Sequence, residues 1–399
     1  MSIDAFTRAL GRAVQLARAE ISSAPSDGRA AWARISKSTI EPVQVALRQI
    51  DEIATQDGKC VSTPGSSGLF DLDSSAIHLV YNAIFYGVEN VSASLIDIFR
   101  SKRIRTATIY SLAGLSVHHD IEIEENISLI PGGNAPNVEN SQRVFSPQNT
   151  EGHVFSFAPS SALRIRREVE LDFYQRSEGG EDFIGIGEAP EVKKIPAILA
   201  AISLASGAVP EQRETYHVIL DVGWPGMLSN GLGGSRGFPK NIPFDQPIAE
   251  DDLRSIYDLI VKNGNVDISL AIAKLNSARC KDGFADKVID YGTLLEILLM
   301  HNSGNSGEIT EKLALRAAWL LGSDVESRNE VYDMTKNMYR MRSSAVHNGT
   351  IEKELNKIGN SDDHHSVFSR YDSLCRQVAV SILERGGWPN DWKVLVLGG

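Results

Sequence analysis

The stretch Tyr339-Arg-Met-Arg-Ser-Ser-Ala-Val-His-Asn-Gly349 holds the residue types best suited to chemistry in this chain. A histidine titrates near neutral pH, so His347 can both accept and donate a proton. Arg342 carries a permanent charge on a planar fork of donors that matches a phosphate. Ser343 lies four residues before His347, one helical turn away on nearly the same face. Asn348 and Gly349 tolerate a left-handed backbone, so a helix should end there. His347 then falls in the last turn, where unpaired carbonyls favour an imidazolium. The chemistry these groups could do is proton transfer beside a bound phosphate.

On one ideal helix, residues five apart diverge by about 140 degrees, at roughly 100 degrees per residue. A single copy would therefore aim Arg342 and His347 poorly at one phosphate. Two symmetry-related helices sharing a site would solve this, so a homodimer is the expected arrangement. Arg340, seven residues before His347, faces the same way and is a second candidate for the phosphate contact.

The elements that must position these groups are helical. Phe284, Val288, Tyr291, Leu295 and Leu298 recur at spacings of three and four. So do Val331, Met334, Met338, Met341 and Ala345, and then Val367, Tyr371, Leu374, Val378 and Ile382. Gly386-Gly387 should close the last helix. Residues 248–387 read as a helical bundle. Upstream the pattern is mixed. Residues 1–56 read as two helices, the second opening at Glu41-Pro42 with proline in its first turn. A helical stretch lies around 75–100. Strands are expected at Arg105–Leu112, Ile121–Ile130, Asp182–Gly187 and Thr215–Val222, around an apolar helix near 191–207. Leu163, Ile165, Val169, Leu171 and Phe173 alternate with charged residues, as in a half-exposed strand. The stretch Trp224–Pro247, dense in Gly, Pro and Asn, is the best boundary. The expected fold class is α+β: a mixed α/β domain over 1–245, with a sensing or regulatory role, then an all-α domain over 246–399. No internal repeat is evident.

Here the residues resemble a family. Arg-x4-His near a helix end, after an acidic-apolar helix and before one more helix, resembles the HEPN superfamily. The nearer likeness is to its Apea-like branch, with Tyr-x-x-Arg-Ser before a Val-His-x-Gly ending. Tyr339, Arg342, Ser343, Val346, His347 and Gly349 match that pattern. The helix carrying Asp290 and Leu295-Glu296, and the one carrying Leu315-Arg316-Ala317-Ala318, fit the same layout. The likeness covers roughly residues 280–387. It implies metal-independent RNA cleavage in a dimer by a HEPN-like helical bundle, with Arg and His pairs from both copies lining one cleft. The ribose 2′-hydroxyl attacks the adjacent phosphate, leaving a cyclic phosphate and a 5′-hydroxyl. In that scheme His347 is the general acid or base and Arg342 neutralises the transition state, with Ser343 beside it. Family members often serve in bacterial antiviral defence or toxin-like systems. A protein or phage-derived trigger acting on residues 1–245 follows by analogy alone.

Other signals divide between chemistry and structure. Glu296 and Tyr339 are supporting candidates, and Glu296 reads equally as an orienting group or as an exposed or interface carboxylate. Arg100, Lys102, Arg103 and Arg105 form the densest basic cluster and are the RNA-contact candidates. Arg164, Arg166 and Arg167 are offset by acidic neighbours. Asp362-Asp-His-His365 reads as a solvated helix cap and His118-His119-Asp120 as a turn between strands, so no metal and no cofactor is implied. Gly231 to Gly237 lacks the order of a phosphate loop and reads as a linker or mobile loop.

The net charge of −11 excludes a protein that coats duplex nucleic acid with its whole surface. Contact with RNA must be local, as in a nuclease cleft. Cys60, Cys280 and Cys375 are too sparse for a disulfide framework or a thiolate zinc site. No apolar run approaches the roughly 20 residues that span a bilayer. The chain opens on an amphipathic pattern (Ile3, Phe6, Leu10, Ala13) with no basic-then-apolar leader, so a cytoplasmic location and no membrane partner are expected. Two functions remain at this level: an RNA-cleaving effector, or a non-catalytic RNA-binding or dimerisation module built on the same helices.

Overall fold

The computed structural model describes residues 3–23, 35–63, 66–136, 145, 148–150, 153–155, 159–175, 189–234, 246–301, 308–357 and 364–397. The strand expected at Asp182–Gly187 lies outside them, as do Asp362 and Asp363. The observed class is α+β: helices and mainly antiparallel strands through the N-terminal part, one short parallel pair of Leu115–Ser116 with Gln246–Pro247, and helices alone from Glu250 onward among the described residues.

Four long helices, α1 (Ile3–Ser23), α2 (Lys37–Leu47), α3 (Leu72–Tyr86) and α4 (Val88–Ser101), open the chain, with the short helix Asp51–Ala54 between α2 and α3. Phe6, Leu10, Ala13, Val14 and Ala17 form one buried face of α1, packed against α2 and α3. α2 starts a turn earlier than its proline suggests. Ser36 caps it by accepting from the Thr39 amide, and Pro42 sits inside the helix. Glu20 fixes that cap, accepting from the Ser36 amide at 2.7 Å and from the Ser36 and Thr39 hydroxyls at 2.6 and 2.7 Å. The expected helix over 75–100 is two helices, broken where Gly87 takes φ +88.

The central sheet has strands β1 (Arg103–Ala113), β2 (Ile121–Glu124), β3 (Ile127–Pro131), β4 (Ser161–Glu170), β5 (Glu211–Ile219) and β6 (Ser229–Gly234), in the order β6-β5-β1-β4-β3-β2. Every neighbouring pair is antiparallel. β1 is the spine, pairing with β4 from Arg103 opposite Glu170 to Leu112 opposite Ser161. The single strand expected over Ile121–Ile130 is a hairpin, because the chain turns at Glu125-Asn126. The glycine-rich stretch also departs from its reading. Ser229–Gly234 is an edge strand rather than a linker, and its backbone needs no side chains to pair with β5. Residues 235–237 of that stretch lie outside the described residues.

One sheet face, with Tyr110, Leu112, Leu129, Leu163 and Ile165, packs on α5 (Ile195–Ala205) and α6 (Glu250–Lys262). Ile256 and Ile260 of α6 also touch the core of the helical part, and Leu204 of α5 belongs to it. α5 and α6 are thus the layer shared by the sheet and the helices beyond. Those are α7 (Ser269–Arg279), α8 (Phe284–Leu299), α9 (Ile309–Leu321), α10 (Val325–Asn348) and α11 (His364–Glu384).

A buried arginine fastens the two parts. Arg279 of α7, with its side chain 4% exposed, binds Asp372 of α11 through Nε at 2.7 Å and Nη2 at 2.9 Å. Its remaining donors reach the carbonyls of Ser203, Ser206 and Ala208 at the end of α5. A guanidinium thereby satisfies orphan carbonyls at a helix C-terminus, which a buried charge needs to be tolerated. Among the described residues no helix is long and apolar enough to cross a membrane.

Candidate functional site

α10 carries the reactive types, and its sequence explains where it starts and stops. Asp324 accepts from the Ser327 amide while Ser327 reaches back to the Asp324 amide, a reciprocal cap. At the other end Gly349 adopts φ +70 and its amide bonds Ala345, so the helix ends as its Asn-Gly pair predicts. His347 lies in the final turn and is exposed. Val346 beside it is 48% exposed. Met338, Met341 and Ala345 point into the core and fix the rotation of the helix.

That rotation turns Arg342 toward α8. Its Nη2 stands 3.3 Å from Glu296 Oε1, with side chains 24% and 29% exposed. Tyr339, one turn earlier, donates its hydroxyl to the same oxygen at 2.5 Å. The Arg342 guanidinium also lies 5.4 Å from the centre of the Tyr339 ring. Burial, and then the hydrogen bond to Glu296, push the Tyr339 phenol up to about 12, so it remains a donor at neutral pH. Arg342 Nε is buried without a hydrogen-bond partner. The site therefore holds a guanidinium anchored at one end by a carboxylate, with its Nε donor buried and unpaired.

Gly292 makes this seat, and the sequence reading passed it over. A Cβ on Gly292 would lie 2.6 Å from Arg342 Cγ and 3.1 Å from its Cβ. Only a glycine lets the arginine stem lie against the backbone of α8. The available signal was a glycine inside a helix, which costs about 1 kcal/mol relative to alanine and so asks for a packing reason.

The remaining expected residues are not all brought together. Ser343 is half-exposed and makes no side-chain hydrogen bond among the described residues. Ser344 instead bonds the Thr350 carbonyl at 2.8 Å, tying down the chain after the helix. Arg340 is exposed, and its charge is felt by Glu311 of α9. It shares a face with His347 rather than with Arg342. Asp290 is a structural group, bound by Lys274 at 2.9 Å and Ser277 at 2.7 Å. Arg316 caps the Leu299 carbonyl and stacks on Trp392.

The basic cluster scatters. Arg103 pairs with Glu168 at 2.9 Å across the sheet. Arg105 binds Asp221 through Nε and Nη2 at 2.8 and 2.6 Å. Lys102 caps α4 with φ +55, and Arg100 lines a separate cleft. Any phosphate contact by Arg103 or Arg105 would compete with these carboxylates. His118, His119 and Asp120 form a bend between strands, with His119 on Glu250 and Asp120 on Arg164. Among the described residues no group of three or more His, Cys, Asp or Glu converges as a metal site would need.

No family model, no curated protein and no solved structure matches this chain.

Proposed function

We propose that the helical part is a HEPN-like, metal-independent endoribonuclease that works as a homodimer. Its setting would be an antiviral or toxin-like system in which residues 1–245 answer to a protein or phage-derived trigger. One observation carries the reading. A guanidinium seated on Gly292 and held by Glu296 and Tyr339 precedes, on the same helix, an exposed histidine at the C-terminal turn.

The reaction requires no group beyond these. A base, His347 of one copy, takes the proton of the ribose 2′-hydroxyl as that oxygen bonds phosphorus. The bond from phosphorus to the 5′-oxygen breaks, and the leaving oxygen takes a proton from the second imidazolium. The products are a 2′,3′-cyclic phosphate and a 5′-hydroxyl. Arg342 neutralises the charge that builds on the phosphoryl oxygens. Five residues of helix separate Arg342 and His347 by about 7.5 Å of rise and about 140 degrees. Two copies of the pair across a two-fold axis supply what one copy aims apart.

The test uses the full chain and end-labelled single-stranded RNA in the presence of a chelator. Cyclic phosphate ends should form, and Arg342→Ala and His347→Ala should each abolish them without altering fold or oligomeric state. Undiminished cleavage by either variant refutes the proposal. A second reading draws on the same ion pair: Arg342 occupied by Glu296 at 3.3 Å suits a helical dimerisation or RNA-binding module. RNA retained by the protein with no new termini supports that module.

A further inference from the structure

Glu296 stands where an anion competes with a phosphate for Arg342. Its Oε1 accepts from the Tyr339 hydroxyl at 2.5 Å and lies 3.3 Å from Arg342 Nη2. The first contact is as short as a hydroxyl makes to a carboxylate. The second is longer than the roughly 2.7–2.9 Å of a well-made guanidinium–carboxylate hydrogen bond. Tyr339 therefore holds the shared oxygen more firmly than Arg342 does. Its phenol, pushed up to about 12, keeps its proton and that role at neutral pH.

Arg342 is correspondingly short of partners. It donates no hydrogen bond among the described residues, and its Nε is buried without an acceptor. A partly buried guanidinium in this state has donors to offer an incoming anion. Its stem rests on Gly292, so the tip is the part a phosphate meets. The carboxylate of Glu296 opposes that approach, because its field partly cancels the guanidinium's.

We propose that Glu296 is a built-in brake on phosphate binding at Arg342, and that Tyr339 weakens the brake by drawing the carboxylate onto its own hydroxyl. Both are positioning residues that act through the guanidinium. Without the phenol, Oε1 is free to close on Nη2 at full strength. The proposal rests on Arg342 as the phosphate contact of the proposed nuclease and adds how that contact is regulated.

Two assays with the full chain test it. Binding is read by fluorescence polarisation with a labelled single-stranded RNA whose 2′-O-methyl groups prevent cleavage. Turnover is read with unmodified RNA. Glu296→Gln keeps the size and an acceptor for Tyr339 but removes the charge. It should tighten the 2′-O-methyl RNA about fivefold and lower KM with kcat undiminished, an effect that shrinks with salt. Tyr339→Phe should weaken binding about threefold in the parent and leave it unchanged in a Glu296→Gln background. A merely structural tyrosine would cost the same in both. Each single variant reads the pair from its own side, so loss of fold in one leaves the other decisive. Equal or weaker binding in Glu296→Gln, a fall in its kcat, an equal Tyr339→Phe effect in both backgrounds, or no RNA binding by any variant overturns the proposal. This binding pattern without cyclic phosphate ends keeps the brake and overturns the nuclease reading alone.

Discussion

Replacing Gly292 by alanine sets two opposed effects against each other at the centre of the candidate site. Alanine is the better helix former by about 1 kcal/mol. The added Cβ, however, would meet Arg342 Cγ at 2.6 Å, its Cβ at 3.1 Å and its Cδ at 3.4 Å. Overpacking of this kind costs about 1–3 kcal/mol. The Cγ can swing aside, but the Cβ moves only if α10 moves. Overlap should therefore win, leaving a net loss of about 1 kcal/mol and a displaced guanidinium. In an Arg342→Ala background the Cγ and Cδ contacts vanish while the 3.1 Å approach to the Cβ of residue 342 remains, so the same change should cost less than in the parent. Urea unfolding of the four proteins in this double-mutant cycle should give a coupling of about 1–2 kcal/mol. Cleavage of labelled RNA should fall in Gly292→Ala even where the fold survives. Effects that add within about 0.5 kcal/mol would show that Gly292 does not seat Arg342.

Arg279→Ala should cost about 3–5 kcal/mol in urea unfolding, since it strands three buried carbonyls and removes a partner of Asp372. A loss under about 1 kcal/mol would mean the tie between α5 and α11 is dispensable. Tyr339 has its phenol raised to about 12 in the fold, against an ordinary value near 10. Its contribution is complete below about pH 10 and disappears as pH climbs through about 12. Tyr339→Phe should therefore flatten the alkaline limb of the stability curve followed by circular dichroism, and an unaltered limb counts against the Glu296 bond. Glu20 behaves oppositely. Burial raises its carboxyl, but the hydrogen bonds from Ser36 and Thr39 outweigh that and hold it below the usual range. Its contribution is present above about pH 4–5 and is lost as pH falls through the lower folded value. Glu20→Gln should lower neutral stability and make the acid transition shallower; identical acid curves would refute it.

Local rules made part of this protein legible from its residues. The Asn348-Gly349 stop, the double glycine after α11 and the alternating strand around Leu163 each rest on one residue's backbone freedom or one element's period. The reactive types on α10 were also visible, because a helix end and a spacing of five need no knowledge of neighbours. The N-terminal helices were misjudged where Ser36 outcompetes Pro42 as the start signal, where a short third helix follows at Asp51–Ala54, and where Gly87 splits a continuous apolar pattern in two.

What stayed hidden depends on partners distant in the chain. Arg103 and Arg105 read as a basic patch until sheet register and chain return put Glu168 and Asp221 beside them. Ser229–Gly234 reads as a linker until an edge needs pairing. The pairing of Arg342 with Glu296 follows from how α8 and α10 cross, and the grip of Arg279 on α5 from how α7 and α11 stack. Amino-acid order sets each element's period and its ends. Which charges then meet is decided by packing, because burial selects one rotation and one register among many that the local pattern allows.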